Sequence, residues 1–348
     1  ISYGVLWIAQ ACVFWRGMDT IRTFIDWAGP AVYAVMFVLA VYLVVQAGGL
    51  GHINLTLSSG APLGFVRSIP VMITAVALVV SYFAGPMLNF GDFSRYAHTY
   101  SNVRKGNFWG LPVNFLVFSL LTVVCASATV PVFGKLITDP IATVERIGAP
   151  FAILLGGLTF VVATVGINIV ANFVSPAFDF SHVNPRKISW RTGGMIAAVG
   201  SVVITPWNWY SNDQAIHYTL DLLGSLIGPL FGILIAGYFV VARQRVKVDD
   251  IFTMDPHGLY WYRNGFNPNA VASLVVAGVF SVASVILPSP LKQLGMPDMT
   301  WISNFSWFLG AAIGYVAFVF LERRHPRMPH LEAGQAGVSD GAADEGVL

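Results

Sequence analysis

The stretch Val80–Ala97, VSYFAGPMLNFGDFSRYA, begins as the end of an apolar helix expected over Pro70–Leu88. It closes in the charged and aromatic run Asp92-Phe93-Ser94-Arg95-Tyr96. Gly85-Pro86 falls deep in the apolar part. Proline lacks a backbone donor and crowds the preceding turn, and glycine loosens that turn further. The helix is therefore expected to break there. In a bilayer a freed backbone group cannot turn to lipid; it has to face protein, water or a ligand. On the residues alone two readings stay open. One is a proline kink in a packing helix; the other is a broken helix that lends backbone groups to a binding site.

The composition says which solvent this helix meets. Of 348 residues, 56% are hydrophobic and only 10% are charged, and the mean hydropathy is +0.69. A soluble domain carries roughly 25% charged residues, so this is an all-α membrane protein, a multi-pass helical bundle. Cys12 and Cys125 both lie in apolar runs and read as small core side chains. The seven histidines fall in loops or at span ends, with no metal-ligand spacing. There is no nucleophile elbow, no phosphate-cradling glycine loop and no HExxH. The expectation is a protein that is not an enzyme, holds no metal or cofactor and binds no nucleic acid polymer.

Nine apolar spans are expected: Ile1–Trp15, Trp27–Val45, Pro70–Leu88, Phe108–Phe133, Pro150–Phe173, Thr192–Thr205, Thr219–Val241, Ala270–Leu287 and Ile302–Leu321. The first is shorter than the roughly 20 residues a span needs, which suggests a chain that begins inside a helix. Of the nineteen Lys and Arg, only Arg67, Lys135, Arg146 and Lys292 fall in one set of alternate loops. The other fifteen share the opposite side, which the positive-inside rule makes cytoplasmic. The Arg16–Asp26 loop, the DFSRYA end and the C-terminus then face the cytoplasm of a cell-membrane protein.

Asn168 and Asn172 lie four apart in the fifth span, on one helix face. Carboxamides in a span need partners, so the pair reads as a ligand site or as interhelical glue. Phe83, just before Gly85-Pro86, has the ring to stack on a flat ligand; Tyr82 has the same chemistry, and Trp7 and Gln10 are weaker candidates. Asp221, near the start of the seventh span, is either a proton-coupling group or an acid suited to a helix N-terminus. The second is expected.

Four blocks in order resemble the nucleobase–cation symport-1 family. They are Gly17-Met18-Asp19-Thr20-Ile21-Arg22, Asn89–Tyr96 (NFGDFSRY), Asn168–Pro185 (NIVANFVSPAFDFSHVNP) and Tyr260–Gly265 (YWYRNG). The resemblance covers about residues 1–325. It implies the leucine-transporter-type inverted-repeat fold, here lacking its first three helices. Residues 1–48 would be the last two helices of the first repeat and 49–241 the second five-helix repeat. Two additional helices would occupy 242–324, with a disordered cytoplasmic tail over 325–348. The implied activity is cation- or proton-coupled symport of a small nitrogenous heterocycle such as a nucleobase, allantoin or hydantoin across the plasma membrane. A non-transporting sensor or scaffold of the same fold, or a non-functional fragment, is the alternative.

By the same resemblance Asn172 is the amide that hydrogen-bonds the heterocycle, and Asn168 is a polar position beside it. Phe83 is the stacking aromatic, and Gly85 lies at the helix break. Ala163, Gly166 and Ile167 fall where the family's sodium-coupled members place a backbone carbonyl and two hydroxyls. Those hydroxyls are absent here. A hard cation wants several oxygen ligands, so of H+ and Na+ the expected coupling ion is the proton. The expected partners are the heterocycle and membrane lipid.

Overall fold

The apolar stretches form helices, and prolines and glycines set where each is interrupted. The computed structural model describes residues 2–55, 64–209, 213–253 and 255–329. In chain order the helices begin with α1 (Ser2–Trp15), α2 (Met18–Gln46), α3 (Phe65–Tyr82), α4 (Ala84–Leu88), α5 (Phe90–Ser94) and α6 (Tyr100–Phe108). Next come α7 (Asn114–Phe133), α8 (Pro140–Ile147), α9 (Pro150–Asn168), α10 (Ser175–Val183), α11 (Trp190–Val203) and α12 (Pro206–Trp209). The last are α13 (Asp213–Ile235), α14 (Val248–Ile251), α15 (Pro268–Ile286), α16 (Pro288–Gln293) and α17 (Ser306–Arg324). Wider π turns at Trp109–Val113, Ile169–Val174 and Ala236–Val241 adjoin α7, α9 and α13. Among the described residues there is no β-strand.

Helix ends follow local chemistry. Asp139 and Asn267 each cap a helix whose first residue is proline, accepting from Ile141 N at 2.9 Å and from Asn269 N at 2.9 Å. Proline suits that first position because its missing N–H would go unused there.

Among the described residues, seven stretches are long and apolar enough to cross a membrane: Met18–Gln46, Phe65–Tyr82, Tyr100–Phe133, Pro150–Val183, Tyr218–Val241, Pro268–Ile286 and Thr300–Arg324. Seven of the nine expected spans are among them; the first and the sixth are not. The first and sixth expected spans are helical, but α1 and α11 have 14 residues each. At 1.5 Å per residue α11 reaches about 21 Å, short of a ~30 Å hydrocarbon core. The limits of α11 are local: Ser189 caps its start, and Thr205, before Pro206, has φ 51°, outside the helical region.

The chain divides into two compact units. The first comprises Ile1–Gly64 and Asn89–Pro206, the second Phe65–Leu88 and Trp207–Leu348. In the first unit, one core gathers Phe14, Ile21, Val165, Ile169, Phe173 and Ala198. The Phe14 ring stacks on Trp190 at 4.3 Å between centroids and lies against Gly194, where a side chain would collide with it. A second core joins α2 to α7 and α8 through Met36, Leu43, Cys125, Ala128 and Val144.

In the second unit α13, α15 and α17 pack side by side, with Ile233, Ala236 and Phe318 at the centre and Met328 against them. Outward faces of both units are apolar, with Phe37, Leu116, Leu154, Val279 and Val316 all exposed; lipid is the solvent such faces suit. Of the tail expected over 325–348, residues from 330 onward lie outside the described residues.

Candidate functional site

In the first unit α9 runs into the π turn Ile169–Val174, which carries Asn172. The cause is legible two residues past the turn. Pro176 has no N–H for the carbonyl four residues back, that of Asn172, and its ring crowds the same carbonyl. A wider turn relieves this, and π turns are found mostly where function needs an irregular helix. The two amides meet: Asn172 Nδ2 donates to Asn168 Oδ1 at 2.6 Å. That bond uses one acceptor and one donor. Among the described residues, the Asn168 amide N–H groups and the Asn172 carbonyl oxygen make no further hydrogen bond. Asn168 is half-buried and Asn172 exposed, whereas Val165, Gly166 and Ile169 on the same helix are buried. The pair thus presents a donor and an acceptor from a helix whose other face is locked into the core.

Ala163, Gly166 and Ile167 lie on α9 ahead of this pair. Ala163 is half-buried, Gly166 buried and Ile167 exposed. A side chain added at Gly166 would first meet the Phe24 ring, at 3.4 Å. Among the described residues no three His, Cys, Asp or Glu side chains group as metal ligands.

A charged cluster in the same unit ties Asn89–Tyr96 to α10. Arg95 binds Asp92 Oδ1 at 2.9 Å, donates from Nε to the Gly91 carbonyl at 3.1 Å, and lies 4.2 Å from the centroid of the Phe178 ring. Asn89 Nδ2 donates to Asp179 Oδ2 at 3.3 Å. Asp92 is only 6% exposed. Burial pushes its carboxyl above the usual range, Arg95 opposes this, Asp179 adds to it, and His182 and a hydrogen bond from Ser175 oppose it again. Two of the motif blocks are therefore one structural feature, which their separation of some eighty residues concealed.

In the second unit the expected break occurs at Phe83, between α3 and α4. It is a kink more than a gap. Phe83 N still donates to Val79 O at 3.1 Å, and Met87 N to Phe83 O at 3.1 Å. Pro86, with no N–H to return to residue 82, accounts for the single irregular position. Phe83 is half-buried, and its ring meets Tyr82 edge-on at 5.2 Å. Gly85 is half-buried and has open space where a side chain would start.

Asp221 departs from expectation. It is the ninth residue of α13 and 6% exposed, with Ser306 Oγ donating to its backbone carbonyl at 3.1 Å. The helix-end dipole fades within the first turn, so a helix N-terminal acid is not what the fold makes of it. Phe83 and Gly85 are thus brought together in the second unit, and Asn168 and Asn172 in the first.

The sequence matches the family of permeases for cytosine/purines, uracil, thiamine and allantoin over residues 1–310. It is 30% identical over 326 residues to the allantoin permease of Bacillus subtilis (strain 168), covering 94% of this chain and 64% of that one. It is 30% identical over 323 residues to a purine-uracil permease of Arabidopsis thaliana, covering 92% of this chain and 53% of that one. The chain thus spans about half to two thirds of the length of these curated relatives. Its fold is similar to that of Mhp1, a nucleobase-cation-symport-1 family transporter, in a closed conformation with bromovinylhydantoin bound. There the TM-score is 0.65 and the identity 23%, over 93% of this chain and 67% of that one. The likeness shows an all-α, multi-pass helical bundle.

Proposed function

The chain belongs to the family of permeases for cytosine/purines, uracil, thiamine and allantoin, and from that premise we propose a secondary transporter for a small, planar nitrogenous heterocycle. The observation that carries the reading is the Asn168–Asn172 pair, which offers the Asn168 N–H donors and the Asn172 carbonyl acceptor where α9 meets the π turn. An N–H and a neighbouring C=O on a heterocycle complement such a pair. Each hydrogen bond contributes about 0.5–1.5 kcal/mol. Stacking on Phe83, proposed on its own, adds about 0.5–1.5 kcal/mol beyond area. Together these contribute about 1.5–4.5 kcal/mol, so burial of the ring's apolar faces has to supply the rest of the roughly 8 kcal/mol of a micromolar complex. Gly85 keeps its proposed place beside Phe83 at the kink.

The finer architecture belongs to the same proposal: the leucine-transporter-type inverted repeats, a multi-pass place in the cell membrane, and the Lys- and Arg-rich side, C-terminus included, in the cytoplasm. Coupling to the proton is proposed over sodium, because Ala163, Gly166 and Ile167 offer no side-chain oxygen and a hard cation wants several. Nothing in the reading calls for catalysis or a bound cofactor.

The test is uptake of radiolabelled allantoin, hydantoin, uracil and purines by cells making the protein, with pH and sodium varied. Asn172→Ala is expected to abolish accumulation while surface expression persists. Uptake unchanged by that substitution removes Asn172 from the site, and uptake that follows sodium at constant pH overturns proton coupling.

A further inference from the structure

A cleft of about 320 Å³ opens in the first unit between the start of α2 and the Phe93–Tyr96 corner, with Val170 and Val174 of the π turn as its apolar floor. Asp19, Arg22 and Asp26 form one wall. They are spaced three and four apart, so they share a face of α2. All three are exposed, and among the described residues none makes an ion pair with another, although Arg22 lies between two acids. The facing wall is Phe93 and Tyr96. Tyr96 stays a protonated donor: burial raises its phenol, Arg95 opposes, and Asp92 and Asp19 add to the rise. Asp19 and Tyr96 line the same cleft. Neither Asn168 nor Asn172 lines the cleft.

The chemistry of the walls selects the occupant. An anion meets two carboxylates for one guanidinium. A shared metal ion is excluded by spacing, because Asp19 and Asp26 are two turns apart, about 10 Å along the axis, with a cation between them. An organic cation would meet the Arg22 guanidinium between the two acids, so these walls suit a neutral ring that stacks on an aromatic face and offers two N–H groups flanking a carbonyl. The N–H groups answer the carboxylates, and the carbonyl answers Arg22, whose fork of donors is rigid. The volume lies at the small end of ligand sites, enough for one ring and not for a nucleotide.

We propose that this cleft is a second ligand site, taking a cyclic ureide beside the Arg- and Lys-rich end of the helices. It rests on the transport reading, of which it would be a staging site separate from the amide pair.

Equilibrium dialysis of labelled hydantoin against the full chain in lipid nanodiscs tests it. Two classes of binding are expected. Arg22→Ala and Asp26→Asn should each weaken one class at least tenfold with no change in melting temperature, and Asn172→Ala should remove the other. Hydantoin methylated on both ring nitrogens should not compete for the Arg22 class. If both cleft variants bind as the unaltered protein does, or if all binding vanishes with Asn172→Ala, the second site is overturned. If only the Asn172 class is missing, the amide-pair reading falls and the cleft stands. If no hydantoin binds at all, both fall.

Discussion

The backbone carbonyl of Ala311 on α17 occupies the space where a side chain on Gly232 of α13 would begin. Gly228 meets the Trp307 carbonyl in the same way. From the other side, a side chain on Gly310 would approach Pro229 Cδ to 2.6 Å, and one on Gly314 the Pro229 carbonyl to 2.7 Å. Glycines four apart on both helices thus let two backbones touch, which is how helices associate where lipid removes the usual hydrophobic drive. Gly232→Val is expected to destabilise by about 3 kcal/mol or more, the upper end of overpacking, read as a lower melting temperature and loss of monodisperse protein. Gly85→Ala is the contrast. Open space surrounds that position and its φ is not positive, so melting should be unchanged. A loss of uptake with unchanged melting would then assign Gly85 to function.

Glu322 gathers four donors near the end of α17. Asn267 and Asn269 side chains reach Oε1 at 3.2 and 2.9 Å, and the backbone N–H groups of Arg327 and Met328 reach Oε2 at 2.8 and 3.0 Å. The residue is 5% exposed. A carboxylate only accepts, whereas an amide of the same shape turns a donor toward one pair of these donors. Glu322→Gln is expected to lower stability by about 1–3 kcal/mol. Hydrogen exchange at the amides of Arg327 and Met328 should quicken. Unaltered exchange there would show that the chain beyond α17 is held by something else.

Tyr262 lies next to that network. Burial pushes its phenol up to about 12, Tyr260 and Glu322 add to the rise, and a hydrogen bond with Asn267 opposes it. The fold favours the protonated phenol. Its contribution is therefore fully present below the ordinary tyrosine value of about 10 and is lost as pH rises through about 12. Unfolding midpoints between pH 9 and 12 should fall more steeply for the unaltered protein than for Tyr262→Phe. Parallel curves would mean that the phenol does not sense the fold.

Much of this was readable from residues because membrane helices obey few rules. Gly85-Pro86 located the kink to within two or three residues, since a missing N–H acts on the turn before it. The spacing of Asn168 and Asn172 placed them on one face because four residues is nearly one turn. The sixth span has its expected length of 14 residues but lies two residues earlier, at Trp190–Val203, because Ser189 caps its start and the helix stops ahead of Pro206. The π turn was hidden because periodicity assumes a regular helix; the proline four residues after Asn172 was the available signal. The Asp92–Arg95–Phe178 contact and the cleft on α2 arise from residues some eighty apart or more, and spacing within a segment carries no record of such meetings. Asp221 looked like a helix-end acid only because apolar composition begins near it, two turns after α13 does.

Arg95 leaves a last consequence that can be measured by pH. Its guanidinium faces a carboxyl that burial already raises, so removing it lets Asp92 rise further. Arg95→Ala is expected to destabilise by about 2 kcal/mol near neutral pH, less than a fully buried pair would, because the arginine side chain is 42% exposed. A carboxyl with a raised folded value is stabilising when protonated, below the ordinary value, and that advantage fades as pH rises through the folded value. The deficit of Arg95→Ala should therefore shrink on acidification, and Asp92→Asn in the same chain should restore much of the loss at neutral pH. Arg95→Lys keeps the charge but not the planar group over Phe178, and should fall between the two. A deficit independent of pH, with no rescue by Asp92→Asn, would place the role of Arg95 in its packing on Phe178 and not in its charge.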